Sequence, residues 1–237
     1  MKNLTKLKSA IYESTLGFEV RLLHRKLFSN AGLDNLDQKI FKYLPVGKGI
    51  FIEAGANDGI NQSNTYFLEK KHGWTGTLVE PIPRLYKRCQ RARPQSRVVN
   101  AALVGPENQG KDITILDLGL MSVVDGSLGG GESEKAHIEF GKSFSGKKFA
   151  KSIATGITLS NLIDEHGSNQ ITFLSLDLEG YELEALKGLD LERHKPSCIL
   201  VETKQLDEVY SIIGHRYELL EKITHHDYIF GLRDYKL

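Results

Sequence analysis

The feature that most constrains the fold is a regular alternation, from Gly49 onwards, of short apolar runs with stretches of helical periodicity. This alternation is typical of βα units around a parallel sheet with helices on both faces, and it predicts the α/β class. Strands are predicted over residues 50–54, 77–79, 98–102, 171–176 and 198–201. Helices are predicted over residues 64–71, 83–91, 159–166 and 181–187, the third of them between an N-cap at Thr158 and a stop at Gly167.

The last part of the chain departs from this alternation. Two apolar segments, residues 217–223 and 228–232, lie on either side of a short connection at 224–227. Because a connection this short joins neighbouring strands that run in opposite directions, both segments are predicted to be strands. The sheet is therefore expected to end in an antiparallel edge.

The first 40 residues are predicted to form a helical extension in front of a main domain that covers residues 41–237. The first 30 residues carry basic side chains, few acidic ones and spaced leucines, which is typical of a basic amphipathic helix. One interpretation is peripheral contact with an anionic membrane surface or with a partner. The other is that the helix packs its apolar side on the main domain.

A second irregular region, residues 119–156, interrupts the alternation and is rich in glycine, serine and lysine. Loops of this length are uncommon in compact domains unless they have a function. We therefore expect a long flexible insertion. It is either a lid that contacts the substrate or a disordered segment.

Composition and charge exclude several classes of protein. Lys and Arg number 31 against 30 Asp and Glu, so the net charge of +1 does not indicate a nucleic-acid partner. No window approaches the roughly 18 consecutive apolar residues that a membrane span requires. Cys89 and Cys198 lie far apart without a CxxC neighbour, which is typical of reduced thiols in a cytoplasmic protein.

The first chemical motif is the sequence FIEAGANDG at residues 51–59, in which an apolar strand runs into a glycine turn. In open α/β sheets, ligands bind outside the carboxyl ends of the strands, and glycine lets the backbone approach a ligand closely. Only Gly55 and Gly59 are glycines here, and the acidic Glu53 and Asp58 would repel a pyrophosphate. The turn therefore disfavours an NAD-dependent oxidoreductase and favours a cationic or hydroxyl-bearing ligand.

The next predicted strand ends in Glu80 and Pro81, about twenty residues after Gly59. An acid at this place is the usual partner of ribose, because a carboxylate can accept from two neighbouring hydroxyls at once. The glycine turn and the distal acid together predict a site for adenosine or a similar group.

Acidic side chains lie at the carboxyl ends of four predicted strands, at the same edge of the sheet. They are Glu53, Glu80, Asp177 and Glu202, and Glu179 comes two residues after Asp177. Such a set favours a ligand with positive charge, a divalent metal, or a general base with a raised pKa. In the metal alternative, Asp177, Glu179 and Glu202 are the candidate oxygen ligands of Mg²⁺ or Ca²⁺.

Other polar and aromatic residues are predicted to have structural roles. His225 and His226 are predicted to be surface residues, because no partner ligand stands at a metal-binding spacing. The basic residues of the segment 84–93 are predicted to form a solvated helix face, with recognition of an acidic glycan or nucleotide-linked sugar as the alternative. Trp74 and Tyr66 are predicted to be packing residues.

Several segments of the chain, covering roughly residues 49–205, resemble the FkbM family of S-adenosylmethionine-dependent methyltransferases. In chain order they are FIEAGANDG, SNTYFLEKKHGWTGTLVEPIP, VVNAALVG, ITLSNLIDEHG, FLSLDLEGYELEALKGLDL and ILVET. The resemblance implies a class I methyltransferase fold. This is a Rossmann-like, seven-stranded, mostly parallel sheet with helices on both faces and an antiparallel last strand.

By position, the resemblance implies roles for individual residues. Those expected to bind the cofactor are Glu53, Gly55, Asn57, Asp58, Gly59, Ser63, Asn64, Glu80, Pro81, Asn100, Ala101 (or Ala102) and Asp177. Those expected to be catalytic on the acceptor side are Asp177, Glu179 and Glu202. Asn57 stands where many class I methyltransferases have a second glycine, and Asn tolerates positive φ better than other non-glycine residues.

The resemblance also implies the activity. Because family members are associated with O-methylation, we expect an S-adenosylmethionine-dependent enzyme that methylates a hydroxyl of a sugar, a glycan or a natural product. Its partner is then a hydroxyl-bearing small molecule or glycan. The alternative is a catalytically inactive protein that binds the cofactor and acts as a scaffold in a glycan-assembly complex.

Overall fold

The computed structural model describes residues 14, 17–20, 32–127, 129, 131–145, 150–167 and 170–234 of the chain. Its strands are β1 (Ile50–Ala54), β2 (Thr75–Val79), β3 (Arg97–Val99), β4 (Ala101–Leu103), β5 (Asp112–Asp117), β6 (Val123–Val124), β7 (Ala150–Ile157), β8 (Phe173–Leu176), β9 (Cys198–Glu202), β10 (Tyr217–Lys222) and β11 (Asp227–Leu232). Its α-helices are α1 (Leu36–Phe41), α2 (Tyr66–His72), α3 (Pro83–Ala92), α4 (Glu132–Ser145), α5 (Leu159–His166), α6 (Glu182–Lys187) and α7 (Leu206–Ile213).

Seven of these strands form the main sheet, in the order β10-β11-β9-β8-β1-β2-β3. Strands β3, β2, β1, β8 and β9 run parallel, and β11 runs antiparallel to both β9 and β10. The predicted antiparallel last strand is therefore confirmed. Its expected place at the edge is wrong, because the hairpin turns back into the sheet and β11 pairs with β9. Strand β10 is left at the edge.

The predicted strand 98–102 is divided at Asn100. Its first part, β3, ends the main sheet, whereas β4 pairs with β7 in a second sheet of order β4-β7-β5-β6. The change of sheet lies beside the carboxyl end of β2, because Asn100 Nδ2 donates to the carbonyls of Glu80 and Pro81. This second sheet therefore stands beside the edge at which a ligand site is predicted.

The region 119–156 is not a loop without secondary structure, because its described residues include β6, α4 and β7. Strand β7 pairs antiparallel with β5. Ile113, Ile115 and Ala154 are buried in a common cluster, whereas Ile153 is exposed. A sheet that is buried on one face only does not show the continuous apolar run of a parallel strand, which is why the sequence conceals β7.

The main sheet is covered on both faces, since successive strand residues point to opposite sides. Phe51 and Phe173 pack with residues of α1 and α2, and Ile52 and Leu174 pack with residues of α5, α6 and α7. Trp74 is buried in the first of these clusters, as predicted, and its Nε1 donates to the carbonyl of Gly47 over 2.7 Å. The two layers hold the carboxyl ends of the strands in fixed positions.

The described residues of the N-terminal extension pack on the main domain. Residues 17–20 are helical, and Phe18 is fully buried in a cluster with Ile60 and Tyr66. Helix α1 spans the boundary that we predict between residues 40 and 41, and its Leu36 lies in the core of the main sheet. Most of the predicted basic helix lies outside the described residues. No helix in the described part of the chain is long and apolar enough to cross a membrane.

Candidate active site

A cavity lies at the carboxyl ends of β1, β2 and β8, and the second sheet closes one side of it. We call it the central cavity, and together with the open solvent at its mouth it encloses about 930 Å³. The predicted site residues that line it are Glu53, Gly55, Asn57, Asn64, Glu80, Pro81, Ala101 with its neighbour Ala102, Asp177 and Glu179. Strands that are distant in the sequence thus bring most of the predicted residues to one place.

The turn after β1 has the backbone conformation that its residues predict. The φ angles of Gly55, Asn57 and Gly59 are 76°, 50° and 78°, so Asn57 adopts the left-handed conformation. The Asn57 amide donates to Glu80 Oε2 over 2.8 Å, and the Ile82 amide donates to Glu80 Oε1 over 2.8 Å. Glu80 therefore joins the two loops that border the central cavity.

Glu80 is only 4% exposed. Burial raises its pKa to about 8, against the lowering effects of the Ile82 and Asn57 amides and of Arg84. Each carboxyl oxygen keeps a lone pair beyond the one that its amide partner occupies. Glu80 can therefore still accept from the hydroxyls of a ribose, as its position after β2 predicts.

Some residues that are predicted to bind the cofactor do not line the central cavity but shape its loops. They are Asp58, Gly59, Ser63 and Asn100. Asp58 Oδ1 accepts from the Ile60 amide over 3.1 Å, which stabilises the turn. Asn100 Nδ2 donates to the carbonyl of Glu80 over 2.8 Å, which holds the end of the β2 loop. These contacts give the four residues a supporting role in the loops, and their contact with the cofactor stays a prediction.

Glu53 borders the central cavity, but its carboxylate is bound to the protein. Its Oε1 accepts from the Asn64 amide over 2.8 Å. Its Oε2 accepts from the hydroxyls of Ser63, over 2.9 Å, and Thr65, and lies 3.6 Å from Nη1 of Arg93. The negative charge of Glu53 is thus already paired, and its role is to fix the loop that leads to α2.

Arg93 is the part of this site that the sequence analysis misses. Its side chain is fully buried, and its Nε donates to Glu69 over 2.8 Å. Its Nη1 donates to the carbonyl of Gly59 over 3.2 Å and to Ser63 Oγ over 3.1 Å. The predicted solvated helix face is therefore wrong for Arg93. Its place at the C-cap of α3, directly before Pro94, is the signal that separates it from the other basic residues.

Two other basic residues of α3 are engaged in ion pairs. Arg84 binds Asp117 through Nε and Nη2, over 2.8 and 2.6 Å. Arg91 binds Glu19 over 2.5 Å at the surface. These pairs give no support to the alternative in which α3 recognises an acidic glycan.

Asp177 and Glu179 follow β8 in a loop with an unusual backbone. Glu179 has a φ of 53° and Gly180 a φ of 98°. The carboxylate of Glu182 supports this loop, because its Oε1 accepts from the amides of Leu178, over 2.7 Å, and Gly180, over 3.1 Å. A left-handed residue other than glycine costs about 1–2 kcal/mol, so the loop depends on these bonds. Strained positions of this kind cluster at functional sites.

The carboxyl groups of this loop and of Glu202 stand close enough to repel one another. Burial raises the pKa of Glu179 to about 7, and the charges of Glu202 and Glu182 add to the effect. Burial, together with Glu202 and Glu179, raises the pKa of Asp177 well above its usual range. Burial also raises the pKa of Glu182. Carboxyls that titrate near neutral pH are typical of general acid or base sites.

A second cavity, here called the outer cavity, opens beside the first between the ends of β8 and β9 and helix α4. Its lining residues are Ser127, Ala136, His137, Phe140, Glu179, Gly180, Glu182, Glu202, Thr203, Lys204, Gln205 and His226. Glu179 lines both cavities, whereas Glu202 lines only the outer one. The three predicted catalytic acids therefore lie along the junction of the two cavities.

His226 also faces the outer cavity, and its Nε2 lies 3.1 Å from Glu202 Oε1. His226 keeps 42% of its side chain exposed and His225 is exposed, so both lie at the surface as predicted, but His226 also contacts the carboxylate of Glu202. Strand β11 brings the two together, because Asp227 pairs with Glu202 in the sheet. This contact depends on the return of the hairpin into the sheet, which the spacing of the residues does not reveal.

The geometry gives no support to the metal alternative. Within the described ranges, no three side chains of His, Cys, Asp or Glu are grouped so that they could hold a metal ion. Asp177, Glu179 and Glu202 are neighbours along the junction, but they are not arranged as a ligand set.

Seven strands in this order, with an antiparallel last strand and a ligand cavity at their carboxyl ends, define a class I methyltransferase. The family model of the methyltransferase FkbM domain matches residues 53–230. The chain therefore belongs to the FkbM methyltransferase family. No curated protein matches the sequence.

Solved structures with a similar fold are distant in sequence. A TehB-like SAM-dependent methyltransferase from Corynebacterium glutamicum has 12% identity and a TM-score of 0.42, over 84% of this chain and 87% of that one. TrmK of M. capricolum, in complex with S-adenosylhomocysteine, has 9% identity and a TM-score of 0.43, over 84% of this chain and 68% of that one. A SAM-dependent methyltransferase from Aquifex aeolicus has 9% identity and a TM-score of 0.39, over 83% and 87%.

The cofactor is S-adenosylmethionine, and the central cavity fits it. Glu80 would hold the ribose, and the apolar Ala101 and Leu103 would face the adenine. Asp177 and Asn64 lie on the β1 and β8 side of the cavity, where the methionine part would lie. The buried Oδ1 of Asn64 has no hydrogen-bond partner in the described protein, as expected of a group that binds a ligand. When bound, the cofactor supplies an electrophilic methyl group.

Proposed function

We propose that this methyltransferase acts on a hydroxyl oxygen of a sugar, a glycan or a natural product. The observation that carries the proposal is the position of Glu179, which lines both the central and the outer cavity. An acceptor in the outer cavity would lie beside the same carboxyl group that borders the cofactor site. Family membership supports methyl transfer, and the chemistry of Glu179 supports oxygen as the acceptor atom.

A hydroxyl is a weak nucleophile until its proton leaves, so O-methylation calls for a general base. The most effective base has a pKa near the working pH, and burial raises the pKa of Glu179 to about 7. In this proposal the acceptor O–H bond and the S–CH₃ bond of the bound cofactor would break as the O–CH₃ bond forms. The Glu179 carboxylate would take the proton, and S-adenosylhomocysteine would be left. Burial, together with Glu202 and Glu179, also raises the pKa of Asp177 well above its usual range, and its side chain is hydrogen-bonded to Glu202.

The test combines an acceptor screen with one matched pair of variants. The protein is incubated with methyl-labelled S-adenosylmethionine and a panel of glycosides and hydroxylated natural products, and we expect label in a methyl ether. Glu179→Gln should lower turnover by about 10²- to 10⁴-fold while calorimetry shows unchanged binding of S-adenosylhomocysteine. The control is Glu184→Gln, which changes a carboxylate that pairs with Lys187 on the surface of α6.

Three results would contradict the proposal. Label on nitrogen alone would show that the acceptor atom is not oxygen. Full activity of Glu179→Gln would remove the proposed base. Tight binding of S-adenosylhomocysteine without transfer to any acceptor would favour the alternative, a cofactor-binding scaffold.

A further inference from the structure

Asn64 occupies an unusual position in the central cavity. It lies in the loop between β1 and α2, lines the cavity and is only 6% exposed. Its backbone amide donates to Glu53 Oε1 over 2.8 Å, and Glu53 is itself held by Arg93. The backbone of Asn64 is therefore held in place by Glu53.

The side chain of Asn64 is anchored at one end only. Its Nδ2 donates to Ser175 Oγ over 3.1 Å, which ties it to strand β8. Its Oδ1 is buried but accepts no hydrogen bond within the described part of the chain. A buried acceptor without a partner is unfavourable, and in a ligand cavity it indicates a missing donor from the ligand.

The position of Asn64 in the cavity indicates which hydrogen-bond donor of the cofactor would reach its Oδ1. The ribose partner, Glu80, follows β2, and Ala101 and Leu103 of β4 lie beyond it on the same side. Asn64 is on the opposite side of the cavity, because its side-chain amide is hydrogen-bonded to Ser175 of β8. In an S-adenosyl compound, the hydrogen-bond donor that lies away from the adenosine is the α-ammonium group of the amino acid part.

Glu53, the carboxylate that binds the Asn64 backbone, does not offer a substitute acceptor. Both oxygens of Glu53 accept from the protein, from the Asn64 amide and from Ser63 and Thr65. We propose that Asn64 Oδ1 accepts a hydrogen bond from the α-ammonium group of the cofactor and thereby selects ligands in which this group is intact. The inference concerns cofactor recognition and does not depend on the nature of the acceptor.

The test measures binding of four probes by calorimetry, so it requires no methyl transfer. The probes are S-adenosylhomocysteine, its decarboxylated analogue that keeps the amine, its deaminated analogue that keeps the carboxylate, and 5′-methylthioadenosine, which lacks both groups. Asn64→Ala should weaken the two amine-bearing probes by roughly 10- to 100-fold and leave the other two unchanged. The control is Asn161→Ala, which changes an exposed residue of α5 that lines neither cavity and should leave binding of all four probes unchanged.

A second variant keeps the test decisive if Asn64→Ala does not fold. Asn64→Asp retains the acceptor oxygen, so the amine-bearing probes should bind as tightly as to the wild-type protein or more tightly. An equal loss of all four probes in Asn64→Ala would overturn the inference in favour of a structural role. The inference would also be overturned if Asn64→Ala weakened only the carboxylate-bearing probes, or if Asn64→Asp bound the amine-bearing probes more weakly. Either result would show that Nδ2, and not Oδ1, faces the ligand.

Discussion

Gly55 lies so close to the backbone of Asp177 that a residue with a side chain at position 55 would collide with it. A Cβ on Gly55 would lie 1.9 Å from the carbonyl oxygen of Asp177. The two residues follow the neighbouring strands β1 and β8, so this contact sets the distance between the two loops of the central cavity. The φ of 76° at Gly55 is a second constraint on the same residue.

Gly55→Ala should lower the free energy of unfolding by at least about 2 kcal/mol and weaken binding of S-adenosylhomocysteine, because the Asp177 loop must move. Urea unfolding and calorimetry measure the two effects. The control is Gly167→Ala, since Gly167 has a φ of 75° but nothing within 4 Å of an added Cβ. That variant should lose only about 1–2 kcal/mol and bind normally. Equal losses in both variants would contradict the role of the Asp177 contact.

Arg93→Met should lower the free energy of unfolding by about 3–5 kcal/mol, because it removes the buried cation that pairs with Glu53 and Glu69 and leaves only Lys70 beside Glu69. Urea unfolding measures the loss. Arg91→Met is the matched control on the same helix, where the pair with Glu19 is exposed and contributes about 0–1 kcal/mol. Adding Glu69→Gln to Arg93→Met should recover part of the loss. A cost of Arg93→Met no larger than that of Arg91→Met would refute the buried network.

The pH dependence of turnover should identify Glu179. If its carboxylate is the base, kcat/KM rises with pH and levels off above about 7, the pKa to which burial raises this group. Lys204 lowers the pKa of Glu179, so Lys204→Gln should move the rising limb of the pH profile to higher pH. Lys187→Gln, on the far end of α6, serves as the control and should leave the limb in place. If Lys204→Gln leaves the rising limb at the same pH, the limb reports the titration of a group other than Glu179.

The buried carboxyls should make the protein less stable as the pH rises. The pKa of Glu179 is raised from 4.5 to about 7, so between these values the folded state binds more protons than the unfolded state. The contribution of Glu179 is therefore fully present below pH 4.5 and is lost as the pH rises through 7. The free energy of unfolding of the wild-type protein, measured against that of Glu179→Gln, should fall between pH 5 and 8.

Glu69 has a lowered pKa and should show the opposite pH dependence of its contribution to the free energy of unfolding. Its pKa is lowered despite burial, because Arg93, Lys70 and Ser96 stabilise its charged form. Its contribution is complete above pH 4.5 and is lost only as the pH falls through its lowered value. The difference between wild type and Glu69→Gln should therefore stay constant between pH 5 and 8. A constant difference for Glu179→Gln as well would disprove the raised pKa.

Local sequence patterns were sufficient for the features that depend on neighbouring residues. Strand β1 and helix α5 begin and end where their apolar periodicity predicts, and Thr158 caps α5 through its side chain. The left-handed Asn57 and the acid after β2 were predictable for the same reason, since φ preferences and strand ends are local properties. These features, with the family resemblance, were enough to predict the fold class and the cofactor.

Only the tertiary structure decided which of the predicted acids are available to a ligand. Glu53 is paired by Arg93 from the end of α3, and Glu202 meets His226 because the hairpin returns into the sheet beside β9. The order of residues alone places carboxylates at the carboxyl ends of the parallel strands, so that they gather at one edge of the sheet. Which of them keep a free lone pair or a raised pKa depends on contacts across long sequence separations, and those contacts form only when the layers pack.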